Sequence, residues 1–317
     1  MKRTIAVVGT GVIGRSWIRV FARAGCATQV YDKDPSQRAR ALEWAHRSAL
    51  RDEDLGLVEV GQADYESHNI LPCDSLEEAV DNCSWVQENG PETLSKKKAL
   101  FADLDAAASK DVILASSTST HDINEIADGL IGSDRCIVAH PVNPPHVIPV
   151  VEVLPGQTTP IDVLQKAFTF LKSVGQSPVK IGKYLPGFLL NRLQAALLRE
   201  SVDLVESGAA TVDAIDTVVR DGLGLRWALL GPFGTGHGNA DGGAGEYYRI
   251  YRESYKSLWK DLATSPELSD DTVNRIHAGV EAIYGPDSVA ALNEWRDHSV
   301  RRIRALKESD PPPSAEH

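Results

Sequence analysis

Ile5-Ala6-Val7-Val8-Gly9-Thr10-Gly11-Val12-Ile13-Gly14 reads as a short apolar strand that breaks into a glycine turn, and the residues after it read as a helix. Strand, glycine turn and helix in that order meet the geometric needs of a dinucleotide pyrophosphate. Gly9 permits the tight turn, Gly11 has no side chain to hold phosphates off the backbone, and Gly14 lets the helix press against the strand. The pyrophosphate would sit on the unpaired N–H groups at the helix start, those of Val12 and Ile13 among them, where the helix dipole is positive.

The residues beyond the glycines support this. The helix Ser16–Ala24 carries Trp17, Val20, Phe21 and Ala24 at helical spacing, Gly25 stands as its stop, and a second strand, Thr28–Tyr31, ends on Asp32. An acidic group there accepts hydrogen bonds from the adenosine ribose and repels a 2′-phosphate. The expected cofactor is NAD, with NADP disfavoured; Lys33 and Arg38 are close enough in sequence to soften that repulsion.

The 317 residues exceed what one core usually organises, so two domains are expected. Apolar content of 42% and charged content of 24% are those of a globular protein. No stretch approaches the roughly twenty apolar residues of a membrane span, and no signal peptide precedes the nucleotide strand, so a cytoplasmic protein is expected. The net charge of −11 argues against nucleic acid or an anionic membrane as partner. Cys26, Cys73, Cys83 and Cys136 lack metal-type spacing and read as reduced thiols, and no metal site is expected.

Strands and helices then alternate to about residue 183. A polar, helical excursion runs through Tyr65, followed by a third strand Trp85–Gln87, a helix Glu92–Ala107, a strand Val112–Ala115, a helix from Ile123 and a strand Cys136–His140. This pattern predicts an α/β domain with a parallel, doubly wound sheet. The character changes at Tyr184-Leu185-Pro186-Gly187, and from Phe188 onward the patterns are helical. We therefore expect a Rossmann-type NAD-binding domain over 1–184 and an all-α domain over 185–317, with Ser309–His317 a frayed tail.

His140 ends a predicted strand, where ligands collect in an open α/β sheet. Twelve residues on, Glu152 lies within Val150-Val151-Glu152-Val153-Leu154 and needs a partner for its charge. Paired, the two make a general base: the carboxylate fixes one imidazole tautomer and stabilises its cation. Spacing alone equally allows a strand-end histidine and a solvated glutamate.

The glycine fingerprint, His140 and Glu152, and Gly187-Phe188-Leu189-Leu190-Asn191-Arg192 together resemble the 3-hydroxyacyl-CoA dehydrogenase superfamily. Cys136-Ile137-Val138-Ala139-His140-Pro141-Val142-Asn143-Pro144-Pro145, Gly175-Gln176-Ser177-Pro178-Val179, Asp221-Gly222-Leu223-Gly224 and Glu294-Trp295-Arg296-Asp297 extend the likeness over nearly the whole chain. The resemblance implies His140 as general base, Glu152 as its orienting partner, and Ser119 with Asn191 as hydrogen-bond donors to the reacting oxygen. It also implies Glu92 and Lys97 near the nicotinamide end of the cofactor, and a homodimer built on the helical domain.

Substrate choice is a separate question. Members acting on acyl-CoA hold the CoA phosphates with a basic excursion, whereas Ser36–Ile70 has four arginines (Arg38, Arg40, Arg47, Arg51) and seven acids (Glu43, Asp52, Glu53, Asp54, Glu59, Asp64, Glu66). A net negative surface suits a phosphate-rich carrier poorly, so a small L-3-hydroxy acid is expected. Arg226 is the candidate cation for its carboxylate. L-gulonate is the first substrate expected. L-carnitine, with Trp227, Tyr247, Tyr248 and Asp241 as a conceivable cage, and a 3-hydroxyacyl-CoA are the alternatives. A crystallin-like structural role is the non-enzymatic one, disfavoured by the complete residue set.

Overall fold

The computed structural model describes residues 3–286 and 288–310. Its contacts divide the chain into two units, Met1–Arg192 and Leu193–His317. The first unit runs β1 (Thr4–Val8), α1 (Val12–Arg23), β2 (Ala27–Tyr31), α2 (Pro35–Asp54), α3 (Gln62–His68), β3 (Ile70–Pro72), α4 (Leu76–Val80) and β4 (Trp85–Glu88). It continues with α5 (Leu94–Ala107), β5 (Ile113–Ser116), α6 (Ile123–Ile126), β6 (Cys136–Pro141), β7 (Val150–Pro155), α7 (Ile161–Ser173) and β8 (Ser177–Lys180).

The sheet order is β3-β2-β1-β4-β5-β6-β7-β8. The chain winds outward from β1 in one direction, then returns to β4 and winds in the other, so a crevice opens at the β1/β4 switch point. Both faces are covered: Trp17, Phe21, Trp85 and Phe170 stack on one, while Phe101, Leu104, Leu114 and Phe188 fill the other. Burial on both sides explains the near-continuous apolar strands.

Three expectations need correction. The sheet is not wholly parallel, because β6 and β7 pair antiparallel. The connection 142–149 is too short for a parallel crossover, which takes a dozen residues or more, so the chain turns back as a hairpin. Ile70–Pro72 is an additional edge strand, too short to give a periodic signal, and Trp85–Glu88 is thus the fourth strand. Helix starts also differ: α1 begins at Val12, directly after Gly11 at its N-cap, and α5 begins at Leu94, which leaves Glu92 in the loop before it.

The charge reading of the excursion changes as well. Asp52 and Glu66 face inward, 3% and 2% exposed, and pair with a fully buried Arg19. Its Nε and a terminal nitrogen grip Glu66 at 2.9 and 3.1 Å, while the other terminal nitrogen meets Asp52 at 2.9 Å and Ser48 Oγ at 2.9 Å. Two of the seven acids are thereby turned inward onto one cation, which leaves five acids against four arginines on the excursion's outer surface.

The second unit is helical. After α8 (Leu190–Glu206), which enters it from the first unit, come α9 (Val212–Thr217), a π-helical stretch Val218–Leu223, and α10 (Gly224–His237). Beyond these lie α11 (Gly243–Ile250), α12 (Arg252–Asp261), α13 (Asp270–Tyr284) and α14 (Val289–Ser309). α10 is broken at Gly231, whose φ of +69° precedes Pro232. The predicted tail Ser309–His317 falls almost wholly outside the described residues. No helix among the described residues is long and apolar enough to cross a membrane. All four cysteines are buried, and burial pushes Cys83 and Cys136 up to about 11 and about 12.

Candidate active site

The glycine turn lies at the β1/β4 switch point. A Cβ on Gly9, at φ +88°, would stand 2.8 Å from the backbone of Asn89, and one on Gly14 would stand 1.9 Å from the Gly9 carbonyl oxygen. A Cβ on Gly11 would meet nothing within 4 Å. Two glycines are therefore required by the protein's own packing and the third keeps the approach open. No side chain caps α1, so its first N–H groups, including those of Val12 and Ile13, remain available to a phosphate.

Beside the turn is a cavity of about 660 Å³ lined by Gly9, Gly11, Asp32, Asn89, Pro91 and Leu100, among others. Asp32 ends β2 and ties the turn in place: Oδ2 accepts from the Thr10 N–H and hydroxyl at 2.8 and 2.9 Å, and Oδ1 from the Asp34 N–H at 3.0 Å. Open glycine, uncapped helix and acid-ended strand fit a dinucleotide.

At the ends of β4 and β5 lies a charged cluster. Lys97, 1% exposed, reaches Glu88 at 3.1 and 3.2 Å and Glu92 at 3.2 Å. Glu88 is fully buried and also accepts from Ser116 Oγ and the Gly90 N–H, both at 2.6 Å. Glu92 Oε1 gathers the loop after β5, accepting from Thr118 Oγ1 at 2.6 Å, the Ser119 N–H at 2.8 Å and Thr120 Oγ1 at 3.0 Å. Burial works against the Glu92 carboxylate, but the Thr118 hydroxyl, Lys97 and the loop donors prevail and hold it down at about 2. Ser119 is part of this clamp, its hydroxyl 3.3 Å from Glu92.

His140 and Glu152 are direct cross-strand partners in the β6–β7 hairpin, which explains their spacing. Imidazole Nδ1 lies 2.8 Å from Glu152 Oε2, with His140 8% and Glu152 2% exposed. The other oxygen, Oε1, accepts from the N–H groups of Leu189 and Leu190 at 2.8 and 2.9 Å. Burial raises the carboxyl, yet His140 and those two donors outweigh it and keep Glu152 below the usual range. With Nδ1 committed to the carboxylate, Nε2 is the ring atom left for a substrate proton.

Two left-handed residues aim those donors. Gly187 has φ +77° and Phe188 φ +49°, and the fully buried Phe188 ring packs 5.4 Å from the His140 ring. Asn191 is the second residue of α8, half-buried, with no hydrogen-bond partner for its amide among the described residues. It is no helix cap.

The first unit thus gathers His140 with Glu152, and Ser119 with Glu92 and Lys97. Arg226 lies in the other unit, exposed on α10 with no ion pair among the described residues. Sequence reasoning missed Glu88 and Phe188. An acid closing an apolar strand, with a lysine nine residues on, was the available signal for the first.

Residues 4–184 match the 3-hydroxyacyl-CoA dehydrogenase NAD binding domain, and residues 187–278 match the C-terminal domain of that family. The chain is 39% identical to a lambda-crystallin homolog of Bos taurus, covering 97% of this chain and 96% of that protein. It is 36% identical to L-carnitine dehydrogenase of Nocardiopsis dassonvillei, covering 99% and 94%. Among solved structures, 5-formyl-3-hydroxy-2-methylpyridine 4-carboxylic acid 5-dehydrogenase, described as an NAD+ dependent dismutase, superposes with a TM-score of 0.81 at 29% identity, covering 97% and 99%. The fingerprint, the cross-strand pair and the helical second unit therefore belong to one lineage, and the chain is an NAD-dependent oxidoreductase of the 3-hydroxyacyl-CoA dehydrogenase family, acting on CH–OH.

Proposed function

We propose that this protein oxidises the 3-hydroxyl of a small, free L-3-hydroxy acid, with L-gulonate the first candidate substrate. The observation that carries the chemistry is the 2.8 Å pairing of His140 with a doubly anchored Glu152. His140 Nε2 takes the hydroxyl proton, and Glu152 stabilises the imidazolium that forms. Ser119 and Asn191 hold the oxygen as it becomes a carbonyl. NAD, when bound, supplies the hydride acceptor. Glu92 and Lys97 shape the nicotinamide end, and Asp32 takes the adenosine ribose.

A small acid is favoured by two relatives at 29–36% identity, matched over 94% and 99% of their length, whose names specify carnitine and a pyridine carboxylic acid. The surface charge of the excursion no longer argues strongly against a thioester. Arg226 is proposed as a contact for the substrate carboxylate. L-carnitine is the second reading, carried by the aromatic cluster of Tyr247, Tyr248 and Tyr251, with ring centroids 4.9–5.2 Å apart. We assign 1–184 to NAD binding, 185–317 to dimerisation and substrate contacts, and the protein to the cytoplasm as a homodimer.

NAD reduction with L-gulonate, L-carnitine, 3-hydroxybutyrate and 3-hydroxybutyryl-CoA tests the reading. One of the free acids is expected to give the highest kcat/KM. If the thioester does, the substrate is an acyl-CoA.

A further inference from the structure

Arg15 comes directly after Gly14 in the first turn of α1, and its surroundings differ from those of its neighbours. Arg19, Arg38 and Arg135 in the same unit each meet an acid, Glu66, Asp74 and Asp105, at 2.7–2.9 Å. Arg15 meets none among the described residues. Its guanidinium is half-buried over the Trp44 ring, 4.3 Å from the centroid, and its Nε is buried without a hydrogen bond. Burial is the one influence on its pKa, which it lowers. A cation withdrawn from water without a counter-charge is costly, and such a group calls for an anion that the chain itself does not provide.

The neighbours say where that anion comes from. Trp44 meets the His146 ring edge-on at 5.4 Å, and His146 lies in the 142–149 connection that leaves His140. Trp44 thus stands between Arg15 and the connection that follows the proposed base. Arg15 does not line the dinucleotide cavity beside Asp32. Stacking on Trp44 covers one face of the guanidinium and leaves its in-plane donors, a fork matched to a carboxylate.

We propose that Arg15 is a specificity-determining residue that binds the carboxylate of the substrate between α1, α2 and the 142–149 connection. The assignment rests on the proposed small-acid substrate and adds to it an anion site within the first unit. It predicts selection for a free carboxylate over the same molecule as a neutral amide.

The test separates this from other sources of the anion. The NADH-loaded protein is titrated calorimetrically with 3-hydroxybutyrate and with 3-hydroxybutyramide, for the native chain and for Arg15→Ala, Arg15→Lys and Arg226→Ala; NADH affinity is measured by nucleotide fluorescence. The native protein is expected to prefer the acid. Arg15→Ala weakens acid binding roughly 10- to 100-fold, the range for losing a charged hydrogen-bond partner, and narrows the preference for the acid more than Arg226→Ala does; a larger loss in Arg226→Ala overturns the proposal. Arg15→Lys retains part of the preference, with NADH affinity within about twofold of native in both Arg15 variants. Unchanged acid binding in Arg15→Ala overturns the proposal, as does a native protein without preference for the acid. Weaker NADH binding with acid binding intact assigns Arg15 to the pyrophosphate and equally overturns it. These titrations need no turnover, so they stand even where the substrate screen favours a thioester.

Discussion

His140 has one nitrogen spoken for, and in the proposed reaction this makes the other a directed base. His140→Ala is expected to lower kcat by orders of magnitude while NAD affinity, measured by titration, stays within about twofold, since the residue acts on the substrate. Glu92 makes a second expectation, this time of stability. Its folded pKa of about 2 lies below the ordinary 4.5, so its stabilising contribution is present above pH 4.5 and is lost as pH falls through about 2. Across that window the native protein should lose denaturant midpoint more steeply than Glu92→Gln; parallel curves would refute the role given to the clamp. His140 was picked out by the long motif around it and Glu152 by the apolar run it interrupts, whereas Glu92 and Lys97 came from the family resemblance alone. Glu88 was overlooked, since one acid at the end of a four-residue strand breaks no pattern by itself and only Lys97, nine residues on, points to it. The burial of Asp52 and Glu66 was hidden too, because a count of charges carries no information about which face of a helix they occupy.

At the scale of elements, the proposed general base depends on the β6–β7 hairpin and the turn that follows it. A one-residue slip in register would turn Glu152 to the opposite face of the sheet from His140. The turn at Gly187 and Phe188 fixes the second half of the site by aiming two N–H groups at the same carboxylate. Gly187→Ala places a side chain at φ +77°, where the penalty is about 1–2 kcal/mol. Urea denaturation should show that loss, and kcat should fall with NAD affinity unchanged as Glu152 loses its alignment. The glycine turn, its helix and the second strand were readable from periodicity and context. The hairpin was not: its two strands are individually apolar, and only the shortness of the segment between them specifies an antiparallel return.

For the whole molecule, the decisive surface belongs to the helical unit. Leu193, Ala196, Leu197, Val202 and Val205 recur at helical spacing, yet only Val205 is buried, while Leu193 is 70% and Phe233 74% exposed. Large apolar side chains gathered in this number mark an interaction face, and a second copy of the chain is the partner we propose. Light scattering at micromolar concentration should give twice the chain mass; a monomer there would contradict it. Helicity of this unit was evident from its pattern, but how much of the apolar periodicity would be satisfied within the unit was not, because spacing identifies a face without identifying what covers it.

Arg19 also carries a consequence for how the protein comes apart. Through Asp52 and Glu66 that one cation ties both α2 and α3 to α1, beside the apolar packing of Ala41 and Ala45. Arg19→Leu withdraws this cation from two buried carboxylates, at about 3–5 kcal/mol, and limited proteolysis under native conditions should then cut the 55–61 connection while the sheet remains resistant. Replacing Asp52 and Glu66 by leucine as well should restore resistance, since what loosens the segment is the orphaned charge rather than the lost ion pair.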